Sequence, residues 1–173
     1  MKLFITLLTM IGMMGYTMES EAKDNAELLA IHIIAKYEGF QPTAYTCPGG
    51  KRTIGYGFTD EKLIALGTIT RKRADYELGK IVRKELAFVN ARLAHLTERQ
   101  KAAVVSFIFN FGRTKFLGST YYKKLKANDI AGAKAELLKW TNVKKLVNGK
   151  IVVTELGGLV KRRAAEAKWL IMG

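Results

Sequence analysis

The sequence of 173 residues is short of cysteine, proline, histidine and acidic side chains. A single cysteine, Cys47, rules out an intramolecular disulfide framework and any cysteine-rich metal site. The two histidines, His32 and His95, lie far apart without paired ligand spacing, so neither a metal site nor a cofactor is expected. Two prolines leave no Pro-rich linker or rigid spacer. There is no repeat of solenoid length and no low-complexity tract. With 15 acidic residues against 29 basic ones, the formal net charge is +14. Such an excess points to an anionic partner: nucleic acid, an anionic membrane face or an acidic cell-wall polymer all qualify. Hydrophobic content of 49% is enough to bury one core, or one core split into two small lobes.

The N-terminus holds the longest uncharged stretch. Lys2 precedes a run from Leu3 to Met18, and Glu19 closes it. At about 16 residues, diluted by Thr6, Thr9, Gly12, Gly15 and Thr17, the run falls short of the ~20 that span a bilayer comfortably. Ser20-Glu21-Ala22 then places small residues where a signal peptidase reads. Residues 1–22 therefore read as an export signal, followed by a domain over residues 23–173. The segment can be cleaved after Ala22, or it can stay attached as a signal-anchor able to leave the membrane. Both versions put the domain in the periplasm or outside a bacterial cell.

Beyond this segment the text predicts mainly helices. Asp24 or Asn25 can cap a helix running to about Tyr37, with Gly39 in the position of a C′ glycine. Residues 43–59 change to short Gly- and Thr-rich pieces, which predict a small antiparallel β-unit with a tight turn at Pro48-Gly49-Gly50. Thr70 can cap a long amphipathic helix through Leu93. Thr97 with Gln100 spells a capping box ahead of the apolar run from Ala102 to Phe111, the expected central buried helix. Short helices are expected around residues 119–126 and 129–140. Asn148-Gly149 signals a hairpin, and residues 159–172 form a basic amphipathic helix. The sum is an α+β fold, mostly helical, with a small N-terminal antiparallel β-lobe.

The chemistry concentrates where the first helix ends. Glu38 follows its apolar positions, and a Gly-rich segment carrying Cys47 and Thr53 turns back towards it. Glycosidic cleavage needs one group to protonate the leaving oxygen and another to activate water or stabilise an oxocarbenium-like transition state. At Glu38 the negative pole of the helix and the apolar neighbours Tyr37 and Phe40 both disfavour the ionised form, as a general acid requires. A plain exposed Glu at a helix end is the alternative. Cys47 is reactive only as thiolate, which Lys51 and Arg52 could favour; an inert buried thiol is the competing reading. Thr53 is a candidate polar group that would also suit an ordinary strand. Asn110 and Ser119 are weaker candidates for substrate contacts, with capping or polar packing as the alternative. Arg162 and Arg163 can bind an acidic polymer or form structural ion pairs.

The segment Tyr37-Glu38-Gly39-Phe40 … Thr53-Ile54-Gly55-Tyr56-Gly57 resembles the active-site region of phage-type lysozymes, glycoside hydrolase family 24. Thr97-Glu98-Arg99-Gln100 with Ser106 to Gly112, Phe116 to Thr120, Leu137 to Trp140, and Gly157-Gly158-Leu159 with Arg162-Arg163 resemble the family's later landmarks in order. The resemblance covers the chain from about Glu27 to Gly173. It implies a lysozyme-like fold with a cleft between two lobes. It also implies an endolysin-type muramidase that hydrolyses the β-1,4 bond between N-acetylmuramic acid and N-acetylglucosamine in peptidoglycan. Carried over by position, Glu38 matches the acid, Cys47 the second catalytic group, commonly Asp in the family, and Thr53 the residue that helps place the water. A monomer acting on peptidoglycan is expected, with no nucleic-acid partner.

Two other functions compete. Lys144, Lys145, Lys150, Lys161, Arg162, Arg163 and Lys168 with Trp169-Leu170-Ile171 could lie on an anionic membrane or lipopolysaccharide, as an added function or as a non-catalytic one. A lytic transglycosylase would cleave the same linkage with a single acid/base and leave an anhydro end.

Overall fold

The computed structural model describes residues 25–46, 50–147 and 150–172, with residues 144–147 and 150–151 described by backbone alone. The export segment, the start of the turn at Pro48-Gly49, Cys47 and the Asn148-Gly149 dipeptide lie outside the described residues.

Helix α1 covers Ala26–Glu38. The Asn25 side chain accepts from the backbone N–H groups of Glu27 and Leu28 at 2.9 and 3.2 Å, satisfying two of the four donors a helix start leaves open. Gly39 ends the helix at φ +68°, a left-handed conformation that glycine enters without a Cβ penalty. Strands β1 (Gln41–Thr46) and β2 (Arg52–Gly55) then pair antiparallel, with an irregularity between Gln41 and Tyr45. A tight turn follows. Ile54 and Phe58 exchange backbone hydrogen bonds at 3.0 and 2.9 Å around Gly55, whose φ is +67°. A Cβ on Gly55 would stand 2.9 Å from the Phe58 ring, so the turn closes only over glycine.

The rest is helical apart from a second hairpin. Short α2 (Glu61–Ala65) is capped by Asp60, and α3 (Arg71–Asn90) by Thr70. Helix α4 (Glu98–Phe111) carries both halves of the expected capping box. Helices α5 (Arg113–Leu117), α6 (Thr120–Lys126) and α7 (Ile130–Leu137) lead to strands β3 (Asn142–Val147) and β4 (Lys150–Glu155), and α8 (Gly157–Ile171) follows. The second hairpin keeps one register from Asn142↔Glu155 to Val147↔Lys150, as a two-residue connection requires.

Helix α4 is the centre. Residues 102 to 108 are all buried, including Ser106, so the helix has no solvent face over two turns. Helices α1, α3 and α8 pack around it. Its first turn also ties two distant segments: Glu98 Oε2 accepts from the Ala26 N–H at 3.1 Å, and Gln100 Nε2 donates to the Leu170 carbonyl at 2.9 Å. On its other end Phe107 collects an aromatic cluster, with Phe111, Tyr121 and Trp140 centroids at 5.1, 5.1 and 5.0 Å. The edge-on pairs with Tyr121 and Trp140 add to the area they bury, and Phe111 is tilted at 34°.

The C-terminal helix decides between the two alternatives left open for its arginines in favour of structural ion pairs. Arg162, Arg163 and Leu170 are buried, and Trp169 packs against the core, so α8 presents only part of its charge to solvent. The reason is its contact with α4: the arginines turn inward to meet Glu166 and Ser106 rather than an outside anion.

Truncating the aromatic hub tests this packing. Phe107→Ala is expected to cost about 3–5 kcal/mol of stability, read as a lower urea midpoint at unchanged slope.

Candidate active site

Glu38 is placed by the last turn of α1, and its carboxylate is 22% exposed. Its Oε1 accepts from Nη1 of Arg162 at 2.5 Å. On the other side, a Cβ added to Gly57 would lie 3.6 Å from Oε2, so the turn after β2 closes directly over the acid. Gly57 has φ +79°, and the turn brings backbone rather than a side chain to the carboxylate. The apolar neighbours invoked from sequence are otherwise engaged: Tyr37 donates to the Lys161 carbonyl at 3.1 Å, and Phe40 packs on Tyr56 and Arg71. A buried cation is therefore part of the acid's surroundings, a contributor the helix pole and neighbouring rings did not announce.

Arg162 is itself held on all sides. Its Nε donates to Ser106 Oγ and Glu166 Oε1, both at 3.3 Å, and its Nη2 donates to the Ser106 carbonyl at 3.1 Å. Ser106 Oγ donates to Glu166 Oε1 at 2.6 Å, and Arg163 Nη2 does so at 2.8 Å. Burial pushes the Glu166 carboxyl up, with Arg163 and then Arg162 opposing it. Burial likewise lowers Arg163, whose guanidinium lies over the Phe107 and Phe111 rings. Arg162 has its donors taken up, whereas Nε and Nη1 of Arg163 and Oε2 of Glu166 are buried with no hydrogen-bond partner among the described residues, so the ion pairs on Glu166 Oε1 offset the cost of that burial.

Gly57, which covers the acid, belongs to the wall of a cleft of about 930 Å³, while Glu38 and Thr53 are not among its lining residues. Gly57 to Asp60 form its β-lobe wall; Arg73, Glu77, Lys80 and Lys84 of α3 form the opposite side, and Ile108 to Asn110 its α4 edge. Tyr56 fastens the β-lobe to α3: its hydroxyl donates to Asp75 at 2.6 Å and accepts from Arg71 at 3.1 Å. Burial first, then the Asp75 carboxylate, raises the Tyr56 hydroxyl above its usual range, so it stays a donor.

The other candidates separate clearly. Asn110 lines the cleft, and its buried Oδ1 has no hydrogen-bond partner among the described residues. Thr53 is 7% exposed on β2, and its Oγ1 is likewise buried and unpartnered there. Ser119 is outside the cleft lining. It caps α6, accepting from the Tyr122 N–H at 3.0 Å and donating to the Phe116 carbonyl at 2.6 Å. Cys47 lies outside the described residues. Sequence reasoning did not single out Glu166 or Gly57; the i,i+4 spacing of Arg162 and Glu166 was the available signal. Among the described residues no cluster of histidine, cysteine or carboxylates could hold a metal ion.

Residues 35–166 match the phage lysozyme family. The chain belongs to that family. An endolysin of Acyrthosiphon pisum secondary endosymbiont phage 1 is 42% identical over 135 residues, 78% of this chain and 89% of the relative. Among solved structures, the endolysin from Escherichia coli O157:H7 phage FAHEc1 matches with TM-score 0.70 at 30% identity, over 83% of this chain and 90% of that one. The muramidase domain of SpmX from Asticaccaulis excentricus matches with TM-score 0.71 at 29% identity, over 82% and 94%. The chain spans 55% of the Bacillus phage B103 endolysin, to which it is 30% identical over 86% of its own length. It is 38% identical to the SAR-endolysin of Escherichia phage N15, over 60% of each. This phage lysozyme relative is thus a lysozyme-type glycosidase, a peptidoglycan hydrolase of the endolysin kind, with the α+β fold expected of one.

Glu77 on the cleft wall supplies a pH test. Lys80, bonded to it at 2.9 Å, and Arg73 at 2.7 Å hold its carboxyl below the ordinary 4.5 against the opposing effect of burial. A depressed carboxyl stabilises the fold above its unfolded value and loses that contribution as pH falls through the folded one. Thermal melts of Glu77→Gln should therefore decline less steeply than wild type on acidification below about pH 4.5.

Proposed function

We propose that this lysozyme cleaves the β-1,4 linkage between N-acetylmuramic acid and N-acetylglucosamine, with Glu38 as the general acid, Cys47 as the second catalytic group and Thr53 helping to place the water. The observation that carries the reading is Glu38 itself, fixed by Arg162 on one oxygen and covered on the other by a glycine turn that lines the cleft. A rigidly placed acid one glycine turn behind the wall of such a cleft suits protonation of a leaving oxygen. Asn110, with an unpartnered carbonyl oxygen on the cleft edge, is a substrate contact in this scheme, and Ser119 acts at most by shaping the α5–α6 connection.

The cleft also suits an acidic polymer. Lys51, Lys62, Arg73, Lys80 and Lys84 outnumber Asp60, Glu77 and Glu85 along it. Peptidoglycan carries carboxylates on its peptide stems, and cations lining a recessed wall draw such a substrate in. Lys161 and Lys168 remain exposed on α8 and can add contact with an anionic membrane or lipopolysaccharide. Residues 1–22 would export the domain to the periplasm as a cleaved signal or a releasable anchor, a scheme the kinship to an N15-phage SAR-endolysin supports. Among the described residues no helix is long and apolar enough to cross a membrane. The domain would act as a monomer on peptidoglycan.

Purified peptidoglycan with analysis of the released ends tests the assignment. Wild type should release reducing ends; anhydro ends would mean a transglycosylase. Glu38→Gln should lower the rate by about 10²–10⁴-fold, and full activity in that variant would move the function to cationic disruption. A comparable loss in Cys47→Ser would give the thiol a chemical role, and unchanged activity would remove it.

A further inference from the structure

An acid clamped by a guanidinium presents a difficulty. A guanidinium beside a carboxyl favours the charged form, the form that has no proton to give. The cluster behind Arg162 resolves it. We propose that Glu166 is a positioning residue that divides the charge of Arg162 and so leaves Glu38 free to carry the proton it delivers. The proposal rests on Glu38 being the acid.

The geometry supports the division. Arg162 spends Nη1 on Glu38 and turns Nε to Glu166, so one guanidinium faces a carboxylate at each end. Glu166 Oε1 accepts from Arg162, Arg163 and Ser106 at 3.3, 2.8 and 2.6 Å. Three donors converge on that one oxygen, while Oε2 is buried with no partner among the described residues. Glu166 is fully buried, so water screens little of its effect. The groups facing this cluster are few. Helix α8 brings Arg162, Arg163 and Glu166; α4 brings Ser106; α6 brings the buried Tyr121 hydroxyl; α1 brings Glu38; and the turn after β2 brings the Gly57 backbone. Two cations thus stand against two carboxylates. Neutralising Glu166 would leave both guanidiniums to Glu38 alone, while neutralising Arg163 would give Glu166 a larger share of Arg162.

The two changes therefore push in opposite directions. The readout is the pH dependence of kcat/KM on peptidoglycan, in particular the limb where activity falls as pH rises and the acid loses its proton. Glu166→Gln should move that limb to lower pH by about one unit, Glu166→Asp should leave it near wild type, and Arg163→Gln should move it to higher pH. A merely structural role for Glu166 would lower the rate at every pH and leave the limb in place, and that result in Glu166→Gln overturns the proposal. Should Glu166→Gln fail to fold, Arg163→Gln decides: a limb that stays or moves down overturns it. Glu38→Gln in the same assay separates the two levels of the argument. Activity in Glu38→Gln removes the acid assignment itself, whereas an inactive Glu38→Gln beside an unmoved limb in Glu166→Gln removes only the role of Glu166.

Discussion

The contact between Glu38 and Arg162 joins the first helix to the last, across 124 residues of sequence. Both helices pack on α4, whose Ser106 meets the guanidinium with its hydroxyl and its carbonyl. A buried arginine is costly unless its donors are taken up, and here the serine, its own carbonyl and two carboxylates take them up. The consequence reaches the cleft. Glu38 is aimed by a guanidinium whose own orientation is determined by the most buried helix of the domain, so the direction of the acid depends on core packing rather than on a surface loop.

Local chemistry was readable without a structure. Asn25, Thr70 and Thr97 each accept from the start of a helix, because a short polar side chain before an amphipathic run has few other uses. The positions of Glu38 and of the strands that return towards it followed from the same kind of reasoning. What the text could not display was the inward turn of α8. Arg162 and Glu166 stand four residues apart, a spacing most often found on solvated helix faces, and nothing in spacing distinguishes a surface pair from a buried one. That distinction comes from packing on α4, whose buried Ser106 bonds to both Arg162 and Glu166. Ser119 shows the opposite limit: a polar residue before a helix has a local use that competes with any remote one, and the cap accounts for its hydroxyl.

The two walls of the cleft differ in kind. The β-lobe side is largely turn, with glycine where the chain approaches the carboxylate, and gives shape. The α3 side is charged and gives attraction: Glu77 keeps Arg73 and Lys80 in place while leaving the balance positive. Tyr56, bonded to Asp75 at 2.6 Å and to Arg71 at 3.1 Å, connects the two.

The first turn of α4 holds Ala26 by Glu98 and Leu170 by Gln100. The beginning of the first helix and the end of the last are thus stitched to one site in the middle of the chain. Fraying, ordinarily the least costly opening of a helical domain, is here not independent at the two ends. Loosening either terminus disturbs the turn that starts the central helix, and the domain should open as a closed loop does, at its knot or not at all.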